Sequence, residues 1–206
     1  MYKESIYQTF CNDYAIGEFV QSYGHLPELS PQGTVFEAMC KSIVSQQLST
    51  FAAHTIYSRF SVMVSDTFNP ESILRIKEED LRDVGLSYQK INYIKNVCEF
   101  WMSNIGNEKK LFNYSDSEII QKLIQIKGVG EWTVHMLLIF HFQRPNVLPL
   151  DDLIVRNGII YFYKLDPGSK NIIDICKEVT QHWQPYASYG SRYMWAFKDK
   201  IKLKAM

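Results

Sequence analysis

Cysteine is scarce, and the cysteines present do not pair by spacing. Cys11, Cys40, Cys98 and Cys176 lie far apart with no Cys-x-x-Cys. That excludes a disulfide framework and a cysteine-built zinc site, and the four read as buried thiols in a reducing compartment. Long apolar runs are also missing. No stretch suffices to span a membrane, and the opening segment MYKESIYQTF has no signal-peptide apolar region, so neither membrane insertion nor secretion is expected. Charge of one sign is not in excess: 22 Lys and Arg face 22 Asp and Glu, for a formal net charge of zero. A nucleic-acid partner normally shows as a basic excess, so this balance argues against a large non-specific footprint. It still allows a partner gripped by backbone N–H groups or by basic residues gathered on one face. Internal repeats and low-complexity segments are absent, and 206 residues are enough for one domain or two small ones with a real core.

The informative residues are concentrated between Ile126 and Arg156, in IKGVGEWTVHMLLIFHFQRPNVLPLDDLIVR. Apolar residues at helical spacing (Ile119, Ile120, Leu123, Ile126) lead into a tight Lys-Gly-Val-Gly turn. An apolar helix follows from about Glu131, and after Arg-Pro-Asn come two adjacent carboxylates, Asp151 and Asp152. Such a hairpin suits a phosphate. Gly128 and Gly130 can take positive φ and present no Cβ to a close approach. The turn opens a helix whose first N–H groups and positive dipole end face outward together, and Lys127 adds a charge. On these residues alone, a helix–turn–helix corner with glycine there for packing is the favoured account of the turn, and helix capping is the favoured account of the two aspartates.

The rest of the chain reads as helices. Residues 1–32 form a helical lead-in with Tyr14, Ile16, Phe19 and Val20 on one face, ended by Pro27, Pro31 and Gly33. No strand-like alternation precedes that point. Thr34 to Phe60 reads as two helices meeting at Ser45-Gln46-Gln47-Leu48-Ser49, where Ser49 is a natural cap for the second. Asn69-Pro70 opens a helix expected to run through a charged patch to Leu81; Gly85 ends it, and Ser87 caps the next. Asn104 to Ser117 is polar and turn-rich. Beyond Asp152 an apolar helix runs to Pro167-Gly168, and another from Ser169 to about Trp183 precedes WQPYASYGSRYMWAF.

These motifs together, LIQIKGVGEWTVHMLL with VLPLDDLIVRNGI, IVSQQLSTFAAHTI, Gly-Leu-Ser-Tyr-Gln-Lys and the closing Trp-Gln-Pro-Tyr string, resemble the helix-hairpin-helix DNA glycosylases. Within them, the 3-methyladenine DNA glycosylase II branch is the most similar. The likeness covers about Thr34 to Phe197. It implies an all-α protein of two helical subdomains, 33–145 and 1–32 plus 146–206, with the hairpin at the rim of the cleft between them. The N-terminal β domain of some members is expected to be missing. The closely spaced C-terminal cysteines that hold an iron–sulfur cluster in other relatives have no counterpart.

The resemblance assigns roles residue by residue. Asp152, by its spacing from Trp132 and the Asp-Leu context, is the expected catalytic carboxylate, with Asp151 left to cap the following helix. Lys127, Gly128, Gly130 and Thr133 fall on the DNA-binding hairpin, and Gln46, Gln47, Leu48 and Ser49 on the loop that enters the duplex. Gln47 and Leu48 are the candidates for filling the gap left by the extruded nucleotide. Trp132, Tyr88 and Trp195 are the expected pocket residues, although a tyrosine after a cap also serves as a staple on the core, and a tryptophan in a terminal helix also serves as core. Members that cut the DNA backbone carry a lysine where this chain has Trp132, so no Schiff base and no lyase step are expected. Aromatic walls attract a base made cationic by alkylation, and such a base leaves without a dedicated acid; His135 is as readily core or surface. Uncharged lesions such as hypoxanthine or ethenoadenine remain open.

The resemblance further implies damaged, double-stranded DNA as partner, a monomer, no required cofactor and no metal held by side chains. It allows a monovalent cation on the hairpin's backbone carbonyls. The expected location is the cytoplasm or nucleoid of a prokaryote, or the nucleus of a eukaryote. Three rival readings are a glycosylase for oxidised or mismatched bases, a non-catalytic hairpin DNA-binding protein, and a plain helical interaction domain.

Overall fold

The computed structural model describes residues 2–64 and 68–204, and among them every regular element is helical. In chain order these are α1 (Tyr2–Cys11), α2 (Gly17–Tyr23), α3 (Val35–Ser45), α4 (Thr50–Val64), α5 (Pro70–Leu74), α6 (Glu78–Asp83), α7 (Tyr88–Phe100), α8 (Asp116–Leu123), α9 (Glu131–Phe140), α10 (Leu153–Phe162), α11 (Ile172–Val179) and α12 (Ala187–Lys204). The chain divides into two compact units, residues 1–30 with 143–206 and residues 31–142. No helix among the described residues is long and apolar enough to cross a membrane.

In the 31–142 unit, polar caps set where helices begin. Thr34 and Glu37 form a reciprocal capping box on α3, and Ser115 and Glu118 form one on α8. Asn69 caps α5 with Pro70 in its first turn, and the Ser87 hydroxyl accepts the Lys90 N–H to start α7. The single helix expected from Asn69 to Leu81 is two: α5 stops at Arg75, and α6 restarts from an extended Lys77. The extended backbone at Lys77 makes the break, and each short helix turns one apolar residue inward, Ile73 from α5 and Leu81 from α6. The polar stretch before α8 is not plain loop, since it holds a π-helical turn at Trp101–Ile105 and a 3-10 helix at Glu108–Asn113. Met39, Ile43, Phe60, Ile91, Ile94, Ile119, Leu123, Val134 and Leu138 form the buried interior. There α3 packs against α4, α7 and α9.

In the other unit, α10 lies against α12, close enough that a Cβ on Gly158 would sit 2.7 Å from the Met194 sulfur. Phe10, Ile16, Val20, Val155, Ile159, Trp183, Tyr193 and Met194 make its core. Tyr14 departs from the expected helix face: it lies in the turn between α1 and α2, 79% exposed, its ring beside those of Tyr163 and His182. The neighbouring Asp13 explains the turn. Its Oδ1 accepts the Ala15 and Ile16 N–H groups at 2.8 and 3.0 Å, and its Oδ2 is met by the Tyr163 hydroxyl, His182 Nε2 and Trp183 Nε1 at 2.6, 2.7 and 2.8 Å. Burial alone would raise this carboxyl's pKa, but the bonds from Tyr163, Ala15, Ile16 and Trp183 outweigh it and hold the value below the usual one. The Tyr163 hydroxyl is pushed far up by burial and by the same carboxylate.

Candidate active site

The hairpin lies wholly in the 31–142 unit. Val129 N–H returns to the Ile126 carbonyl at 3.0 Å, which places Gly128 at the third position of a tight turn with φ +101°. Any side chain there would meet both that backbone penalty and the ring of Tyr93, into which a Cβ would project. Asn96 Nδ2 on α7 donates to the Lys127 carbonyl at 3.0 Å. A trans peptide points its N–H opposite to its C=O, so the Gly128 N–H is turned away from α7. Gly130, exposed and extended, is the N-cap of α9, and the first N–H groups of that helix open onto the same turn. Lys127 is exposed and Trp132 half-buried in the first turn of α9. The carbonyls of Ile126, Lys127 and Gly128 each already accept a protein hydrogen bond, so they fit a monovalent cation only through their second lone pairs.

Two residues expected to face DNA on this surface turn inward. Thr133 is 2% exposed, and its hydroxyl accepts the Gln46 amide at 3.2 Å. The same Gln46 Nε2 donates to the Gly128 carbonyl at 3.3 Å. Their side chains brace the hairpin rather than reach past it. Ser49 is likewise spent locally, its hydroxyl capping α4 at the Ala52 N–H. Gln47 and Leu48 are exposed at the tip of the loop between α3 and α4, with Gln47 at φ +56°. Lys90 Nζ holds the Val44 carbonyl at 2.6 Å, and burial lowers its pKa. Tyr88 is neither staple nor core: it is 61% exposed, with the Arg82 guanidinium 4.5 Å from its ring centre. One face of that ring is therefore already occupied by a cation.

The carboxylate belongs to the other unit. Asp152, not Asp151, is the N-cap of α10: it is extended (φ −72°, ψ 118°), and its Oδ1 accepts the Ile154 and Val155 N–H groups at 2.9 and 3.0 Å. Asp151 lies one residue too early and is exposed. The cap and the expected catalytic group are thus one residue, only 7% exposed. Trp195 on α12 donates its indole N–H to the same Oδ1 at 3.2 Å while its ring packs on the unit's core. Arg156 Nη1 fixes the Leu150 carbonyl at 2.6 Å, one step before the aspartate pair.

Ser188 and Ser191, which sequence reasoning passed over, hold the segment leading to that turn. Ser188 Oγ accepts the Val147 N–H at 2.9 Å and donates to the Arg144 carbonyl at 2.6 Å, and Ser191 Oγ donates to the Val147 carbonyl at 3.3 Å. Their signal was the spacing of three in the first turns of α12, which puts both hydroxyls on one face.

Known proteins resemble this chain in sequence and fold. The chain is 36% identical over 163 residues to DNA-3-methyladenine glycosylase 1 of Schizosaccharomyces pombe, covering 78% of this chain and 71% of that protein. A Bacillus subtilis relative, YfjP, provisionally named a DNA-3-methyladenine glycosylase, is 32% identical over 169 residues; these are 79% of this chain but only 58% of the relative's length. The solved structure of the S. pombe 3-methyladenine DNA glycosylase Mag1 in complex with abasic DNA superposes with a TM-score of 0.81 at 30% identity, covering 93% of this chain and 95% of that one. Residues 40–185, which hold both the hairpin and Asp152, match the family as a whole, and the chain belongs to the HhH-GPD superfamily of base excision DNA repair proteins.

Proposed function

We propose that this protein is a monofunctional DNA glycosylase that turns an alkylated purine of the 3-methyladenine type out of duplex DNA, hydrolyses its N-glycosidic bond and leaves an abasic site. The observation that carries the reading is the fixed carboxylate of Asp152, whose Oδ1 is held by two helix-terminal N–H groups and the Trp195 indole. As the base departs, positive charge builds on the deoxyribose, and a carboxylate already locked in place stabilises it without reorganising. Held in this orientation, the carboxylate is assigned to the sugar and to aligning the attacking water. The hairpin amides of Gly128 and Gly130 grip a phosphate, with Lys127 beside them. Gln47 and Leu48 enter the space the base vacates.

Substrate choice rests on charge. An N3- or N7-alkylated purine is cationic and a good leaving group, and the faces of Trp132 and Trp195 attract it. Tyr88 is the weaker partner for such a base, since Arg82 already lies on its ring. Tryptophan at 132 supplies no amine, so the sugar–phosphate backbone stays intact. The chemistry needs no cofactor, and the protein works wherever its cell keeps DNA.

The test is base release from methylated duplex by wild type and by Asp152→Asn, with strand breaks scored before and after alkali. Asparagine keeps a capping oxygen, so the variant folds. Expected are release by wild type, a fall of about a thousandfold or more in the variant on the scale of lost transition-state charge stabilisation, and breaks only after alkali. Retained activity in the variant removes Asp152 from the chemistry; breaks before alkali restore a lyase.

A further inference from the structure

Gln46 has the wrong orientation for a residue that reads DNA and a good one for a residue that sets distances. It closes α3 and opens a turn in which the Leu48 N–H returns to the Ser45 carbonyl. The third residue of that turn is Gln47, at φ +56°, a conformation usually left to glycine or asparagine. Such a backbone persists only where its surroundings hold it. Two contacts do so here. Lys90 Nζ anchors the Val44 carbonyl, just before the turn. The Gln46 amide reaches 82 residues along the chain to the Gly128 carbonyl and 87 to the Thr133 hydroxyl. One side chain thus joins the base of the loop, the apex of the hairpin and the first turn of α9. Asn96, on the same helix as Lys90, holds the neighbouring Lys127 carbonyl.

We infer that Gln46 is a positioning residue, a strut that fixes the exposed tip Gln47-Leu48 at a set distance from the hairpin amides. The inference rests on the proposed function, because it supposes that both elements engage one duplex. In a duplex the distance from a gripped phosphate to the vacated base position is set by the nucleic acid, so a loop already at that distance loses less freedom on filling the gap. The Gln46 side chain itself acts on the protein and not on the DNA. Glutamate cannot replace it, since a carboxylate has no proton to give the Gly128 carbonyl.

The experiment is a double-mutant cycle of Gln46→Met and Thr133→Val, read in two ways. In the DNA-free protein, hydrogen exchange at the Gly128, Val129 and Gly130 amides should quicken in Gln46→Met; unchanged exchange overturns the strut. In single-turnover base release, Gln46→Met should slow the wild type by roughly tenfold, yet slow Thr133→Val by less than about threefold, as expected of residues sharing one interaction. Affinity for undamaged duplex should stay within about twofold, because no phosphate contact is lost. An equal slowing in both backgrounds with weakened binding to undamaged duplex makes Gln46 a direct DNA contact and overturns the inference. If Gln46→Met does not fold, the uncharged Gln46→Leu takes its place in both arms, with the same outcomes deciding. If wild type releases no base from any lesion, the proposed function fails on its own, and the exchange arm still decides the strut.

Discussion

Trp195 touches Asp152 through one hydrogen bond, and that bond separates two roles a tryptophan can have in such a site. If the ring alone matters, phenylalanine substitutes for most of it; if the N–H matters, phenylalanine does not. The 3.2 Å bond to Oδ1 favours the second, and hydrogen bonds to a charged group are worth about 1.5–3 kcal/mol. Trp195→Phe should therefore lower the single-turnover rate by roughly ten- to a hundredfold with little change in affinity for abasic duplex. A matching loss in affinity would mean that the ring, as a binding wall, is what the site uses. At this scale the sequence was only half readable. Asp152 stood out because its spacing from Trp132 matches that in the resembling family, but which of two adjacent aspartates caps α10 depends on which one is extended, and nothing in Leu-Asp-Asp-Leu reveals that. Thr133 is a similar case: its place in the hairpin motif was plain, but its burial under Gln46 depends on a partner 87 residues away.

Among the elements, the hairpin was the most legible because its constraint is local. A turn that needs positive φ shows as glycine at the position concerned, and Gly128 at +101° is that residue. Its supports, Tyr93 and Asn96, come from α7, and no local pattern marks them. They sharpen a prediction. Gly128→Ala must bear a left-handed backbone, at about 1–2 kcal/mol, and must also displace the Tyr93 ring. If the alanine turn relaxes in the free protein and must be re-formed on DNA, that penalty weakens binding to abasic duplex by about five- to thirtyfold, while helical content by circular dichroism is unchanged. Full affinity in this variant would remove the hairpin from the interface. The break between α5 and α6 was hidden for the opposite reason: the charged run from Arg75 to Asp80 fits one helix as well as two, and only the extended backbone at Lys77 separates them.

At the scale of the whole molecule two charge effects can be measured. Asp13 joins the α1–α2 turn to Tyr163, His182 and Trp183, and its folded pKa is below its ordinary value. A depressed carboxyl contributes stability that is fully present above its unfolded pKa and is lost as pH falls through the folded one. The 1–30 with 143–206 unit should therefore lose stability in the acid range below the ordinary carboxylate value. Asp13→Asn should cost about 3 kcal/mol near neutrality, on the scale of unsatisfied buried donors, and give a flatter acid limb in denaturant titrations. An unchanged acid limb would remove Asp13 as its origin. The second effect concerns DNA. With 22 basic and 22 acidic residues the chain has no net charge to release a large counterion atmosphere, and the proposed grip through the hairpin's backbone N–H groups would leave the phosphate's charge in place. Each phosphate neutralised by a cation adds about −0.9 to the slope of log K against log salt. Lys127, with few helpers, should give a slope no steeper than about −3 on undamaged duplex, and Lys127→Gln should make it shallower by about one. A slope near −6 or beyond would show that basic residues gathered on one face, not the hairpin amides, hold the DNA.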